Sequence, residues 1–228
     1  MIFTNDGLKV HYETSLDGSG SWFARSHVDW IRKSDRPHYK RCFEWCAGPA
    51  FIGFSLLHGG VVDELVLADI NPEVRPWIEK TRESNNLEFT YYESDNFKQI
   101  PEHEKFDLVV GNSPSYVGIN PENPQYEKMK NDIRANDEGW RIHEEFYLNV
   151  RKHLNPGADL LISEVEPLKT AVYLRSTGTE TPYEVRPTEA LSEWKTMIEK
   201  GGLEYVGMDK YMDFDGAGMY LVRSRNPD

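Results

Sequence analysis

From residue 42 onward the chain alternates between short apolar runs and longer amphipathic stretches. The runs at 42–46, 64–68, 87–92, 106–111, 158–163, 203–208 and 219–223 predict strands. The stretches at 50–58, 72–85, 139–153 and 188–200 predict helices. Strands that alternate with helices imply an α/β fold, a doubly wound and mostly parallel sheet covered on both faces by right-handed crossovers. Only residues 209–218 separate the last two strands, too few for a helical crossover, so these two are expected to form an antiparallel pair at the C-terminal end.

Local punctuation supports these divisions. Asn71-Pro72 places a capping side chain before a proline suited to the first helical turn, and Asn155-Pro156-Gly157 reads as the end of a helix turning into a strand. Two segments, 117–138 and 176–187, are rich in Asn, Pro, Thr, Gly or charge and read as loops long enough to act as lids. Residues 1–40 carry no strand-helix alternation and read as an N-terminal extension or flap ahead of a single domain spanning 41–228. The 228 residues suit one large domain better than two small ones.

Charge and composition narrow the function classes. With 38 acidic and 26 basic residues the formal charge is -12, which repels a phosphate backbone and argues against nucleic acid as substrate. Arg32, Lys33, Arg36, Lys40 and Arg41 form a local basic stretch, read here as a solvated face. No run of apolar residues reaches membrane-helix length and no export signal is visible, so a cytoplasmic, non-membrane protein is expected. Cys42 and Cys46 lie too far apart along one strand to bridge, and no other Cys or nearby His completes a metal-ligand spacing.

The segment after the first of these strands carries the first chemical signal. Between Glu44 and Gly53 it runs from apolar strand through Cys46, Ala47, Gly48 and Pro49 into a helix, and small residues there let backbone approach a ligand. At the end of the next strand, Asp69-Ile70 offers a carboxylate able to accept hydrogen bonds from both ribose hydroxyls of an adenosine. A third strand end carries Asp95-Asn96, where a side chain could hold an adenine amino group.

These features resemble the class I S-adenosylmethionine-dependent methyltransferases, over roughly residues 40–223. The resemblance implies a Rossmann-like fold and S-adenosylmethionine as cofactor. It implies cofactor contacts by Glu44, Cys46, Ala47, Gly48, Asp69, Ile70, Asp95 and Asn96, with Asn112 bordering both cofactor and acceptor. In that family's glycine-rich pattern, Cys46 and Ala50 replace the first and third glycines, leaving Gly48 and Gly53. The closing antiparallel pair also fits this family and not the dinucleotide dehydrogenases.

The fourth strand of the series ends in Gly111-Asn112-Ser113-Pro114-Ser115-Tyr116. This resembles the Asn-Pro-Pro-Tyr motif of methyltransferases that modify planar nitrogen, such as the release-factor glutamine and adenine-N6 enzymes. The resemblance implies catalytic roles for Asn112, Ser113, Pro114 and Tyr116, with Asn112 accepting from the target amino group and an aromatic ring stacking on it. Here Ser113 replaces the first proline, Ser115 stands at the aromatic position and Tyr116 comes one place later. Holding the hydrogens of a weak nitrogen nucleophile raises electron density on it, so no strong base is required.

The leading expectation is therefore N-methyl transfer to a small molecule, an amino acid or a protein side chain. The altered motif keeps open a second use of the same cofactor, aminocarboxypropyl transfer or cyclisation. A third reading is a non-catalytic α/β binding subunit. Trp22 and Phe23, beside a Gly-Ser turn, are candidate flap residues over the cofactor. Phe146 and Tyr147 have the spacing of core residues with Val150 and Leu154, and His143 and Glu144 read as an exposed helix face.

Overall fold

A computed structural model of the chain describes residues 1–115, 131–165, 190–214 and 217–227. The segment read as a loop at 176–187, and most of the one at 117–138, lie outside the described residues. Among the described residues no helix is long and apolar enough to cross a membrane.

Seven strands form one sheet. In chain order they are β3 (Tyr39–Trp45), β4 (Val62–Asp69), β5 (Thr90–Glu93), β6 (Phe106–Asn112), β7 (Leu154–Val165), β8 (Glu204–Phe214) and β9 (Ala217–Arg225). Their spatial order is β5-β4-β3-β6-β7-β9-β8. The pairs among β3 to β7 are parallel, whereas β9 runs antiparallel to both β7 and β8. The doubly wound expectation and its antiparallel closure hold. The final hairpin is longer than its apolar runs indicate, because most of 209–218 extends the two strands.

Alternate residues of the central strands enter two separate cores. Cys42, Leu65, Leu67, Leu108, Val110 and Leu161 face one, and Phe43, Val66, Val109, Leu160 and Ile162 face the other. Burial on both faces explains why these strands read as continuous apolar runs rather than alternating ones. The helices α2 (Phe51–His58) and α3 (Arg75–Asn85) contribute to the first core, and α4 (Arg141–Val150) and α5 (Ala190–Lys200) to the second. Asn71 caps the turn before α3 as expected, accepting the Glu73 N–H at 3.0 Å.

Residues 1–40 hold more structure than the sequence reading gave them. A hairpin pairs β1 (Ile2–Asn5) with β2 (Leu8–His11), and α1 spans Gly20–Lys33. The hairpin turn, Asp6-Gly7, has φ of 48° and 92°, the signature of a two-residue turn with both residues left-handed. Leu8 and Val10 from the hairpin and Phe23, Ala24, Val28 and Ile31 from α1 share the first core with β3 and β4. Buried His27 sets Nδ1 3.1 Å from Phe23 O and Nε2 3.3 Å from Leu161 O, and burial lowers its pKa to about 4, so the ring is neutral and its single N–H donates to one of the two carbonyls.

β7 begins at Leu154, so Asn155-Pro156-Gly157 lies inside the strand. The register slips there, with Phe106 opposite Leu154 but Leu108 opposite Asp159. This bulge absorbs the helix-to-strand turn expected at these residues.

Candidate functional site

The chain winds outward in one direction through β3, β4 and β5, then crosses to β6 and β7 on the other side. At that reversal, above the carboxyl ends of the strands, lies a pocket of about 570 Å³. Open α/β sheets place ligands at such a switch point, and the volume suits a nucleoside-sized molecule. Glu44, Cys46, Ala47, Gly48, Asp69, Ile70, Asp95, Asn96, Asn112 and Pro114 all border it.

The loop from β3 into α2 has an unusual backbone. Cys46, Gly48 and Ala50 have φ of 50°, 49° and 61°, so left-handed residues alternate along it. Two of these are not glycine and hold a conformation that costs each of order 1–2 kcal/mol. Cys46 and Ala50, which stand where glycines were expected, thus take the left-handed conformation that glycine adopts most readily. The Gly48 N–H donates to Asp69 Oδ2 at 2.6 Å and the Asn71 N–H to Asp69 Oδ1 at 2.8 Å, fixing the carboxylate against the loop. Burial raises the Asp69 pKa, and the N–H groups of Asn71, Gly48 and Ile70 pull it back.

Glu44 is 2% exposed and its Oε2 accepts the Gly53 N–H at 2.8 Å, from the first turn of α2. Burial pushes its carboxyl up to about 8 against the opposing pull of the Gly53 and Ile52 N–H groups. Gly53 is required here for proximity: a Cβ on it would fall 2.4 Å from Glu44 Oε2. The sequence motif therefore joins two halves of one contact.

At the end of β5 the two candidates divide. Asp95 pairs with Lys98 Nζ at 2.5 Å on the pocket rim. The Asn96 amide is engaged instead in holding the wall, accepting the Trp45 Nε1–H at 2.8 Å and donating to Ile142 O at 3.4 Å. The Trp45 ring in turn stacks on Phe146, with centroids 3.8 Å apart. Ile70, 55% exposed, presents apolar surface at the rim.

Asn112 ends β6, and its Nδ2 donates to Gly18 O at 2.7 Å. Among the described residues its Oδ1 has no partner, so the acceptor end of the amide is left for the pocket. Pro114 lines the pocket, whereas the Ser113 side chain turns away to His143 Nε2 at 3.0 Å. Tyr116 lies outside the described residues. His143 is fully buried, contrary to the exposed face expected of it, because α4 begins with that side chain wedged between Asp137 and Glu164. Phe146, Tyr147 and Val150 are core residues, as expected.

Trp22 and Phe23 do not reach the pocket. Phe23 is buried in the first core against Tyr211, and Trp22 is 53% exposed on α1 and is not among the residues that line the pocket. Leu16, Asp17 and Gly18, from the same flap segment, border the pocket instead. Asn131 to Arg134 and Asn136, Glu138, Arg141 and Ile142 complete the rim; their Asn-rich, charged composition gave no signal of which would face inward. Among the described residues no cluster of His, Cys, Asp or Glu could hold a metal ion, and Cys42 and Cys46 are free thiols.

No family model matches the sequence, and no curated protein sequence matches it. Solved structures do match. The N-methyltransferase NodS of Bradyrhizobium japonicum WM9 superposes with a TM-score of 0.54 at 17% identity, covering 90% of this chain and 97% of NodS. A S-adenosylmethionine-dependent methyltransferase of Clostridium acetobutylicum ATCC 824 gives 0.61 at 10% identity, over 90% of this chain and 91% of the other. TYW2 of P. horikoshii, solved in complex with MeSAdo, gives 0.57 at 14% identity, over 99% of this chain and 70% of the other. At these identities the likeness is one of fold, and the fold is the Rossmann-like one of class I methyltransferases.

Proposed function

We propose that the chain is a S-adenosylmethionine-dependent methyltransferase whose acceptor is a nitrogen of a small molecule, an amino acid or a protein side chain. The observation that carries this reading is the left-handed loop at Cys46, Gly48 and Ala50, bound through Gly48 to the Asp69 carboxylate at the switch point of the sheet. A carboxylate has about four lone-pair positions, and the backbone N–H groups of Gly48, Asn71 and Ile70 engage Asp69, which leaves room to accept from a ribose hydroxyl. Asp17, Asp69, Asp95, Asp132 and Glu138 outnumber Arg134 and Arg141 around the pocket, a balance that suits a cofactor with a positive sulfonium and ammonium.

Asp69 would hold the ribose, Ile70 and Asp95 the adenine edge of the pocket, and Cys46, Ala47 and Gly48 the amino-acid end. Asn96 braces that wall through Trp45. When bound, S-adenosylmethionine supplies a methyl group on a sulfonium centre. Asn112 presents its Oδ1 to an acceptor N–H, because Gly18 O engages the opposite end of the amide. Accepting that hydrogen bond raises electron density on the nitrogen and aligns its lone pair. Pro114 stiffens the turn, and Tyr116 is the candidate for stacking on the acceptor. Leu16 to Gly18 would make the N-terminal 40 residues part of the site, closing over a domain at 41–228. The charge of -12 disfavours a nucleic-acid acceptor.

The test combines calorimetric titration of S-adenosylmethionine with mass-spectrometric product analysis on amino acids, peptides and small amines. Binding that Asp69→Ala weakens, with S-adenosylhomocysteine as product, is the expected result. Absence of binding, or binding indifferent to Asp69→Ala, refutes it. Methylthioadenosine as product assigns aminocarboxypropyl chemistry in place of methyl transfer.

A further inference from the structure

We infer that His143 is a positioning residue that staples the outer wall of the pocket, residues 136–142, to the carboxyl ends of β6 and β7. The inference rests on the reading of this pocket as the cofactor site. His143 Nδ1 lies 2.6 Å from Asp137 Oδ2, and Nε2 lies 2.9 Å from Glu164 Oε1 on β7 and 3.0 Å from Ser113 Oγ just after β6. Asp137, itself 1% exposed, also accepts the N–H of Ile142 at 2.6 Å and of His143 at 3.1 Å. One buried imidazole thus gathers the start of α4, the turn after β6 and the end of β7.

The sequence neighbours of this knot face the ligand space. Asn136, Glu138, Arg141 and Ile142 flank Asp137 and His143 and line the pocket, and Asn112 and Pro114 flank Ser113 and line it from the opposite side. Trp45 and Trp140 pack edge-to-face with the imidazole, with centroids 5.3 and 4.9 Å away, and His143 is fully buried. Where the related motif has a proline ring to stiffen the turn, Ser113 here makes a hydrogen bond from within.

Each ring nitrogen faces a carboxylate oxygen. A neutral imidazole has one N–H and would set a lone pair against the other carboxylate, so both contacts are satisfied together by the imidazolium. Burial opposes that charge, and Glu164 and Asp137 more than reverse it, holding His143 up at about 9. The groups around it are Asp137 on its own segment, Glu164 on β7, and Tyr147, Tyr211 and Cys46 beside those carboxylates. Burial raises all three of these last, which stay neutral where His143 titrates. Glu44, in the loop bordering the same pocket, changes charge at about 8. Deprotonation of His143 turns a lone pair toward one carboxylate and releases the wall.

The experiment titrates methylthioadenosine, which has no group ionising in this range, into wild type, His143→Gln and Glu164→Gln from about pH 7 to about pH 10. Wild-type affinity is expected to fall about tenfold as the pH passes 9, the equivalent of about one pKa unit of coupling. His143→Gln should bind weakly already at neutral pH and keep only the shallow slope that Glu44 imparts. If His143→Gln does not fold, Glu164→Gln decides, since removing one anion should move the break to lower pH. A wild-type affinity and slope in His143→Gln, or an unmoved break in Glu164→Gln, overturns the inference. Should wild type not bind methylthioadenosine at all, the proposed function fails and hydrogen exchange decides the staple alone. Amides of 137–147 must then lose protection in His143→Gln and in wild type above pH 9, and unchanged protection overturns it.

Discussion

Replacing Gly53 with alanine would drive a methyl group into the contact between the first turn of α2 and the end of β3. Its Cβ would lie 2.4 Å from Glu44 Oε2, 2.9 Å from Leu65 Cδ1 and 3.1 Å from Leu67 Cδ2. Buried Glu44 cannot swing into water, so either α2 lifts or the carboxyl gives up its 2.8 Å hydrogen bond from the Gly53 N–H. Overpacking costs about 1–3 kcal/mol and the lost hydrogen bond about 1.5 kcal/mol, while alanine's better helix propensity returns about 1 kcal/mol. The net is a destabilisation of about 1.5–3.5 kcal/mol, or roughly 3–14 °C in Tm for a chain of this size. Thermal denaturation followed by circular dichroism measures it. In a Glu44→Ala background the cost of Gly53→Ala should shrink, since the closest clash has gone. A Gly53→Ala protein as stable as wild type, or a cost unchanged without Glu44, would refute the reasoning.

Glu44 should also leave a mark on the pH dependence of stability. Its pKa in the fold, about 8, lies above the ordinary carboxyl value of 4.5, so stability is full below the unfolded value and is lost progressively as pH rises between the two. Glu44→Gln, which cannot ionise, should therefore gain Tm over wild type between about pH 5 and pH 8 and keep that gain unchanged above it, and a gap independent of pH over that window would count against this. Cys46→Val should destabilise by about 1–3 kcal/mol, because a β-branched residue tolerates φ of 50° poorly, and Cys46→Gly should not; denaturant titration separates them. Asn112→Ala should cut the yield of S-adenosylhomocysteine by roughly 10–100-fold at saturating acceptor while cofactor affinity stays within a few-fold, and a parallel loss of cofactor binding would remove Asn112 from the acceptor side.

The sequence alone determined the layering. Apolar runs of strand length, separated by helical stretches, have one stable arrangement as a sheet covered on both faces, and each central strand is buried twice over. The N-terminal hairpin and α1 were also written locally, in the Asp6-Gly7 turn and in the spacing of Phe23, Ala24, His27, Val28 and Ile31, though the absence of strand-helix alternation masked them. Along the chain, residues at strand ends were readable as candidates, because the carboxyl edge of a doubly wound sheet is a single place and Glu44, Asp69, Asp95 and Asn112 must all meet there.

What only the tertiary structure decided is which partners those residues find. Ser113, Asp137, His143 and Glu164 belong to four separate stretches, and no spacing relates them. They form one buried knot because β6 and β7 are neighbours in the sheet and α4 begins directly above their ends. His143 read as surface for the same reason: helical periodicity reports which residues share a face, but packing decides whether charged groups on that face meet water or one another. Trp22 and Phe23 likewise had the chemistry of a flap, and the rotation of α1 about its own axis sent one into the core and the other to the surface, leaving the pocket to Leu16, Asp17 and Gly18.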